Sequence, residues 1–370
     1  YRSAGTSFCM CGRDGREERV PLRRDETHAR WQPNLTLLVA GNGISSLGNA
    51  VYLVAAVLYL KDATDSAVLL GLFQFLALIP GFILSPLSGS LIDRWSRRNV
   101  LIVTDALRGV LMIGAGLFLL IGLGSAPTVL LTLSFAAGLG HAFFVPAAQA
   151  LIPEIVPPKH LSTANALRTG GSQIFNMTGN AVGGVLFVVL GAPIVLILNG
   201  VTFLISAVQE AWIAPPPLRR DRKHRPLNAA SLRGDVATVL RYLQTRPVIR
   251  TRIVAQAGMF LLSPVFLLTL PFVLIDELGT GEQVLGYIFA ASLAGGIVVF
   301  VALSRLSTDR LVAMPVAAWA YVVFGLVYAA LAMERSLPVL AVGAVLAGGA
   351  AAAVYLSATV RVQHTAPPEL

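Results

Sequence analysis

From about residue 36 onward, long uncharged stretches alternate with short polar ones. Segments 36–60, 67–92, 99–122, 126–150, 169–190, 192–209, 253–275, 283–304, 311–333 and 336–360 are apolar and almost free of Asp, Glu, Lys and Arg. Each approaches the roughly 20 residues that an α-helix needs to cross the hydrocarbon core of a bilayer. The pattern predicts an all-α polytopic membrane protein with ten spans. The connections GLGSAPT (122–128) and GAP (191–193) are very short, so the helices flanking each are antiparallel hairpins.

Composition supports this reading. The chain is 55% hydrophobic and 13% charged, with a mean hydropathy of +0.73. A soluble domain carries roughly 25% charged residues, so these are too few to cover a water-facing surface. The net charge of +9 and pI of 10.1 raise the question of nucleic acid, and the placement of the charges answers it. With the N-terminus in the cytosol, the cytosolic segments hold 25 of the 28 Lys and Arg; Lys61 and Arg335 fall on the outer side and Arg108 inside a span. The basic charge therefore faces anionic headgroups on the cytosolic side of a plasma membrane, with no nucleic-acid partner expected. Cys9 and Cys11 form a single C-x-C, too few ligands for a zinc site, so no metal is expected.

The chain divides into a polar cytosolic tail (1–35), a six-helix bundle (36–212), a basic cytosolic loop (213–249) and a second bundle of four helices (250–370). The halves repeat at an offset of about 210 residues: APPEL at 366–370 aligns with VPPKH at 156–160, and SRLSTDR at 304–310 falls where RWSRRNV lies at 94–100. By that offset the chain is C-terminally truncated, with two of twelve spans expected beyond it, ending near about residue 420.

Polar residues inside spans are costly against lipid and must face protein or water. In the first span Asn42, Ser46 and Asn49 form one helical stripe; in the fifth, Thr169, Gln173, Asn176 and Asn180 form another. Either stripe lines a cavity or seals a hydrogen-bonded seam between helices. The cavity candidates are Asn42, Ser46, Asn49, His141, Gln173, Asn176, Asn180 and Gln256. Asp105 and Arg108 lie three apart on one helix face, about 10 Å from the cytosolic end by helix rise. A structural ion pair is the preferred reading and a proton carrier the other. No HExxH, nucleophile elbow or pair of intramembrane aspartates is present, so no enzyme is expected.

The stretch GSLIDRWSRR, residues 89–98, resembles the signature between the second and third helices of the major facilitator superfamily, roughly G-x-x-x-D-R-x-G-R-R. Gly89, Asp93, Arg94, Arg97 and Arg98 occupy its positions, and Ser96 replaces its second glycine. GNAVGG at 179–184 resembles the G-P-x-x-G-G element of the antiporter branches, with Asn180 in place of proline. The order of SSLGN, DRWSRRNVLIVTDALR, PAAQALIPEIVPPKHLSTANAL, NGVTFLISA and LPFVLIDELG is similar to the branch holding the enterobactin exporter and macrolide-efflux proteins.

The resemblance implies two pseudo-symmetric helical bundles and export, by alternating access, of a small amphipathic molecule: a drug, a macrolide or a siderophore-like compound. It also implies a cytosolic gate at residues 89–98 and proton coupling, and we expect no cofactor and a monomer. Asn49 stands where the branch often has an acid, leaving Asp105, His141 and Glu210 as proton candidates. An importer or facilitator on the same fold is the alternative, and a non-transporting membrane sensor a more distant one.

Overall fold

The computed structural model describes residues 31–92, 95–157, 160–214, 269–281, 283–305, 315–333 and 336–365, with single positions between 244 and 258. In chain order the helices are α1 (Trp31–Thr64), α2 (Ala67–Ile92), α3 (Arg97–Leu120), α4 (Ala126–Ile155), α5 (Leu161–Trp212), α6 (Gln283–Ser304), α7 (Val316–Met333) and α8 (Leu337–Thr365). A π-helical turn, Phe272–Glu277, precedes α6, and no strand occurs among the described residues. Seven of these helices are long and apolar enough to cross a membrane, and α7 contributes a shorter apolar one.

Helix α5 supplies two passes. Its 52 residues are interrupted at Gly191, where φ is 75° and ψ 159°. That backbone conformation is open to glycine at little cost, and Pro193 follows within the helix without an N–H to donate. Ser172 on the first arm meets Asn42, while Gln209 on the second reaches Gly41, so the arms run back alongside each other. Segments 169–190 and 192–209 are thus one hairpin, and α1 lies in its groove.

The burial pattern is inverted relative to a water-soluble helix. On α3, Asp105 is 0% and Arg108 4% exposed, whereas Val103, Leu107 and Val110 are 55%, 58% and 62% exposed. Charge turned inward and aliphatic surface turned outward fit a surrounding of lipid. Between helices the contact is close rather than driven by burial, which favours small residues. A Cβ on Gly109 of α3 would sit 2.9 Å from the carbonyl oxygen of Gly200 on α5, and in the second half Gly295 and Gly348 bring the backbones of α6 and α8 together.

Several helices outrun their apolar segments. The first begins at Trp31 and ends at Thr64 instead of 36–60, and α5 begins at Leu161. Side chains explain the start of α1: Trp31 stacks on His160 at 4.5 Å, and the Asn34 side-chain oxygen accepts the Ala214 N–H at 3.1 Å. Polar residues that looked like tail and loop are tied to neighbouring helix ends.

Apolar packing gathers at two levels. One cluster joins Leu35, Leu101, Phe144, Leu151, Ile155 and Ile213 near the start of α3, all from the first half. The other, at the opposite end, mixes Val54, Leu58 and Phe187 with Leu270, Leu274, Leu285 and Phe289, and so spans both halves.

Candidate functional site

Three layers of polar residues lie along the first half. The outermost layer at the basic end is the start of α3. Ser96 is extended (φ −65°, ψ 120°) and accepts the Val100 N–H at 3.0 Å, so the residue standing in for glycine opens the helix with ordinary dihedrals. Arg97 donates to the Ala150 carbonyl at 2.9 Å and pairs with Glu154, holding the end of α4. Arg98 donates to the carbonyls of Glu210 at 3.1 Å and of Ala211. These are terminal carbonyls of α5, where a cation is favoured. Gly89 is near the end of α2, while Asp93 and Arg94 lie outside the described residues.

One layer deeper, the Arg108 guanidinium meets the Asp105 carboxylate at 2.7 Å. Arg108 is sandwiched between the Phe144 and Phe203 rings, 4.8 Å and 4.6 Å from their centroids. Ser206 stands beside Asp105, and Glu210, 0% exposed, faces both members of the pair. Gly140 on α4 lets the Arg108 side chain pass, since a Cβ there would lie 2.9 Å from its Nε. His141, next along α4, is exposed and close enough to Arg108 to feel its charge. Removing one partner of a buried ion pair costs about 3–5 kcal/mol. Asp105→Ala is therefore expected to lower the thermal unfolding midpoint of the detergent-solubilised protein clearly; an unchanged midpoint would show that the pair carries no structural weight.

The predicted stripes resolve as follows. Asn42 donates to Ser172 Oγ at 2.9 Å, joining α1 to the first arm of α5. Asn49 accepts from Asn199 on the second arm over 3.5 Å. Asn176 and Asn180 donate to carbonyls one turn back, Ser172 at 2.9 Å and Asn176 at 3.0 Å. Ser46 is half-buried and Gln173 exposed. Gln256 lies outside the described residues. The polar faces thus contribute at least one direct interhelical bond, while Gln173 and His141 keep open surface.

Lys61 departs from expectation. It reads as a stray charge on an outer connection, yet it is 6% exposed in the last turn of α1. Its Nζ lies 2.7 Å from Asp276 and 3.4 Å from Asp65, and 5.2 Å from the Phe272 ring centroid. Asp276 and Phe272 belong to the π-helical turn of the second half, so this pair crosses between halves. A Cβ on Gly286 of α6 would sit 2.8 Å from the Asn180 carbonyl of α5, a second close crossing between the halves, nearer the middle of α1. No signal in the sequence links residues 215 positions apart.

Among the described residues, a helical bundle with an outward aliphatic surface, inward charges and two halves in contact fits a membrane transporter. The sequence profile of the Major Facilitator Superfamily matches residues 38–370, and the chain belongs to that family. It is similar to macrolide efflux protein A of Streptococcus pyogenes, 24% identical over 194 residues, covering 52% of this chain and 47% of that protein. It is also similar to a candidate bacilysin exporter, BacE, of Bacillus subtilis, 28% identical over 176 residues, 48% of this chain and 43% of that protein. The chain spans about half the length of the curated relatives it matches. Among solved structures, an inward-facing bacterial homologue of the human lysosomal transporter Spinster shares the fold. Its TM-score is 0.67 at 15% identity, over 94% of this chain and 77% of that one.

Proposed function

We propose that this transporter exports a small amphipathic molecule, such as a drug, a macrolide or a siderophore-like compound, across the cytoplasmic membrane by proton-coupled alternating access. The observation that carries the reading is the position of the contacts between halves. Lys61–Asp276 joins the halves at the end away from the basic turn, while among the described residues the apolar cluster at the basic end is built from the first half. That arrangement corresponds to a state closed outside and open to the cytosol, one of the two states that rocking bundles require. The efflux names of two relatives support export.

In this reading the tail (1–35) and the basic loop (213–249) face the cytosol and its anionic headgroups, and the bundles 36–212 and 250–370 rock as units. The protein works as a monomer without cofactor. The gate motif acts in the opposite state: Asp93, Arg94, Arg97 and Arg98 hold the cytosolic side closed through contacts made only there. Asp93→Asn is accordingly expected to reduce efflux while membrane insertion stays normal.

The test is a susceptibility panel of macrolides, other toxic compounds and siderophores in a pump-deficient bacterial host expressing the full gene. Resistance to at least one compound class, lost in Asp93→Asn at equal expression, is the expected outcome. Uptake of the compound in place of resistance would assign the importer reading instead.

A further inference from the structure

Among the described residues, Glu210 is a buried carboxylate that no cation bonds directly. It is 0% exposed, and neither carboxylate oxygen has a hydrogen-bond partner. An ionised carboxylate enclosed without a protein donor is a far costlier state than the neutral acid. The groups that face it are few. From α3 come Asp105 and Arg108, and Arg98, whose guanidinium bonds to the carbonyls of Glu210 and Ala211. From α4 comes His141, close to Arg108. From α1, Asn34 is bonded to the Ala214 N–H, and among the described residues of that end of α1 none is titratable. The positive charge of Arg108 is taken up by Asp105 at 2.7 Å, so two carboxylates share one guanidinium. One proton balances the cluster.

We propose that Glu210 is the residue that carries the coupling proton, in a site it forms with Asp105 and Arg108. The inference rests on the proton-coupled reading above and gives it a location. In the cytosol-open state the proton resides on the Glu210 carboxyl. When water reaches the site, the O–H bond breaks, the proton passes to water, and the carboxylate left behind competes with Asp105 for Arg108. No other atom or electron changes hands.

The cluster is also mechanically linked to the gate. Arg98, within the basic turn, grips the very peptide carbonyl of Glu210, and Asn34 ties α1 to the residue just past the end of α5. A movement of α1 or of the α5 end against α3 therefore changes the position of the acid relative to Arg108. That is the requirement for coupling: the affinity for the proton must differ between the two conformations.

The experiment has two arms, both on the full chain in liposomes. In infrared difference spectra taken across a pH step, the wild type is expected to show the C=O band of a protonated carboxyl at neutral pH, sensitive to deuterium exchange. Glu210→Gln removes that band, and Glu154→Gln, which touches a carboxylate already paired with Arg97, leaves it. Glu210→Asp retains a displaced band and keeps the test decisive if the glutamine variant does not fold. Absence of the band in the wild type, or its persistence in Glu210→Gln, would overturn the assignment.

In the second arm erythromycin is the probe. One proton per molecule supports about a tenfold accumulation across one pH unit. Glu210→Gln is expected to lose this accumulation while still exchanging erythromycin down its gradient, and accumulation that survives in Glu210→Gln would also overturn the assignment. Should the wild type not move erythromycin, the macrolide reading fails, and the infrared arm still decides the role of Glu210.

Discussion

Replacing Asp276 with alanine is expected to loosen the end of the bundle away from the basic turn more than replacing Lys61. The reason is asymmetric burial: the Lys61 side chain is 7% exposed and that of Asp276 43%. Without Lys61, the carboxylate of Asp276 returns to water at little cost. Without Asp276, the ammonium stays enclosed and falls back on Asp65, 3.4 Å away and 75% exposed, and on the Phe272 ring. A pair between surface and interior lies between the two regimes, so about 1–3 kcal/mol is expected for Asp276→Ala. That is a shift of roughly 5–150-fold in favour of conformations open at this end.

Spin labels at Ser125 and Gln283, exposed positions flanking this end in the two halves, report the effect once Cys9 and Cys11 are replaced by serine. The distance distribution is expected to broaden to longer values in Asp276→Ala, less in Lys61→Ala. It should recover in part in the charge-exchanged Lys61→Asp/Asp276→Lys double variant, whose cycle isolates the pair from its surroundings. Equal distributions in all four proteins would remove the pair from the gating argument.

The second large effect is expected at Gly348. Its missing side chain is what lets α8 cross α6, since a Cβ there would collide with the Ser292 backbone carbonyl, an obstacle that no rotamer change relieves. Overpacking commonly costs about 1–3 kcal/mol, and a backbone collision belongs above that range. Gly348→Val should therefore yield aggregated or degraded protein, seen as loss of the monodisperse peak in size-exclusion chromatography. Gly325 on α7, with open space where its Cβ would be, is the control. Gly325→Ala is expected to be neutral or stabilising by up to about 1 kcal/mol, because alanine is the better helix former. A well-folded Gly348→Val protein would mean that the two helices are not held at this spacing.

How much of this could be read from the chain differs by scale. The helices were legible because uncharged runs of membrane length have few other uses, and the turn at Gly191 because GAP leaves no room for anything longer. The Asp105–Arg108 spacing was equally plain, since helical geometry alone puts the two on one face. Long-range partners were not. Nothing near Lys61 in sequence shows that it is enclosed, because its counter-charge comes from the other half, and Glu210 meets Asp105 only through the fold of the α5 hairpin. The Asn42 face was visible as polar, but whether it sealed a seam or lined a space depended on where Ser172 would fall. Helix ends were misplaced for a related reason: Asn34 is polar by composition, yet its partner Ala214 makes it part of the bundle.

The enclosure of α1 in the hairpin of α5 has a mechanical side. Its 34 residues make a rod about 50 Å long, flanked on both sides and stitched to neighbours at each tip, by Trp31 and Asn34 at one and by Lys61 at the other. Such a strut cannot slide or bend independently of the helices that clasp it. A tug at one tip is delivered to the other as a tilt, and in the proposed rocking cycle such a rod links the two ends without a relay of side chains through the middle.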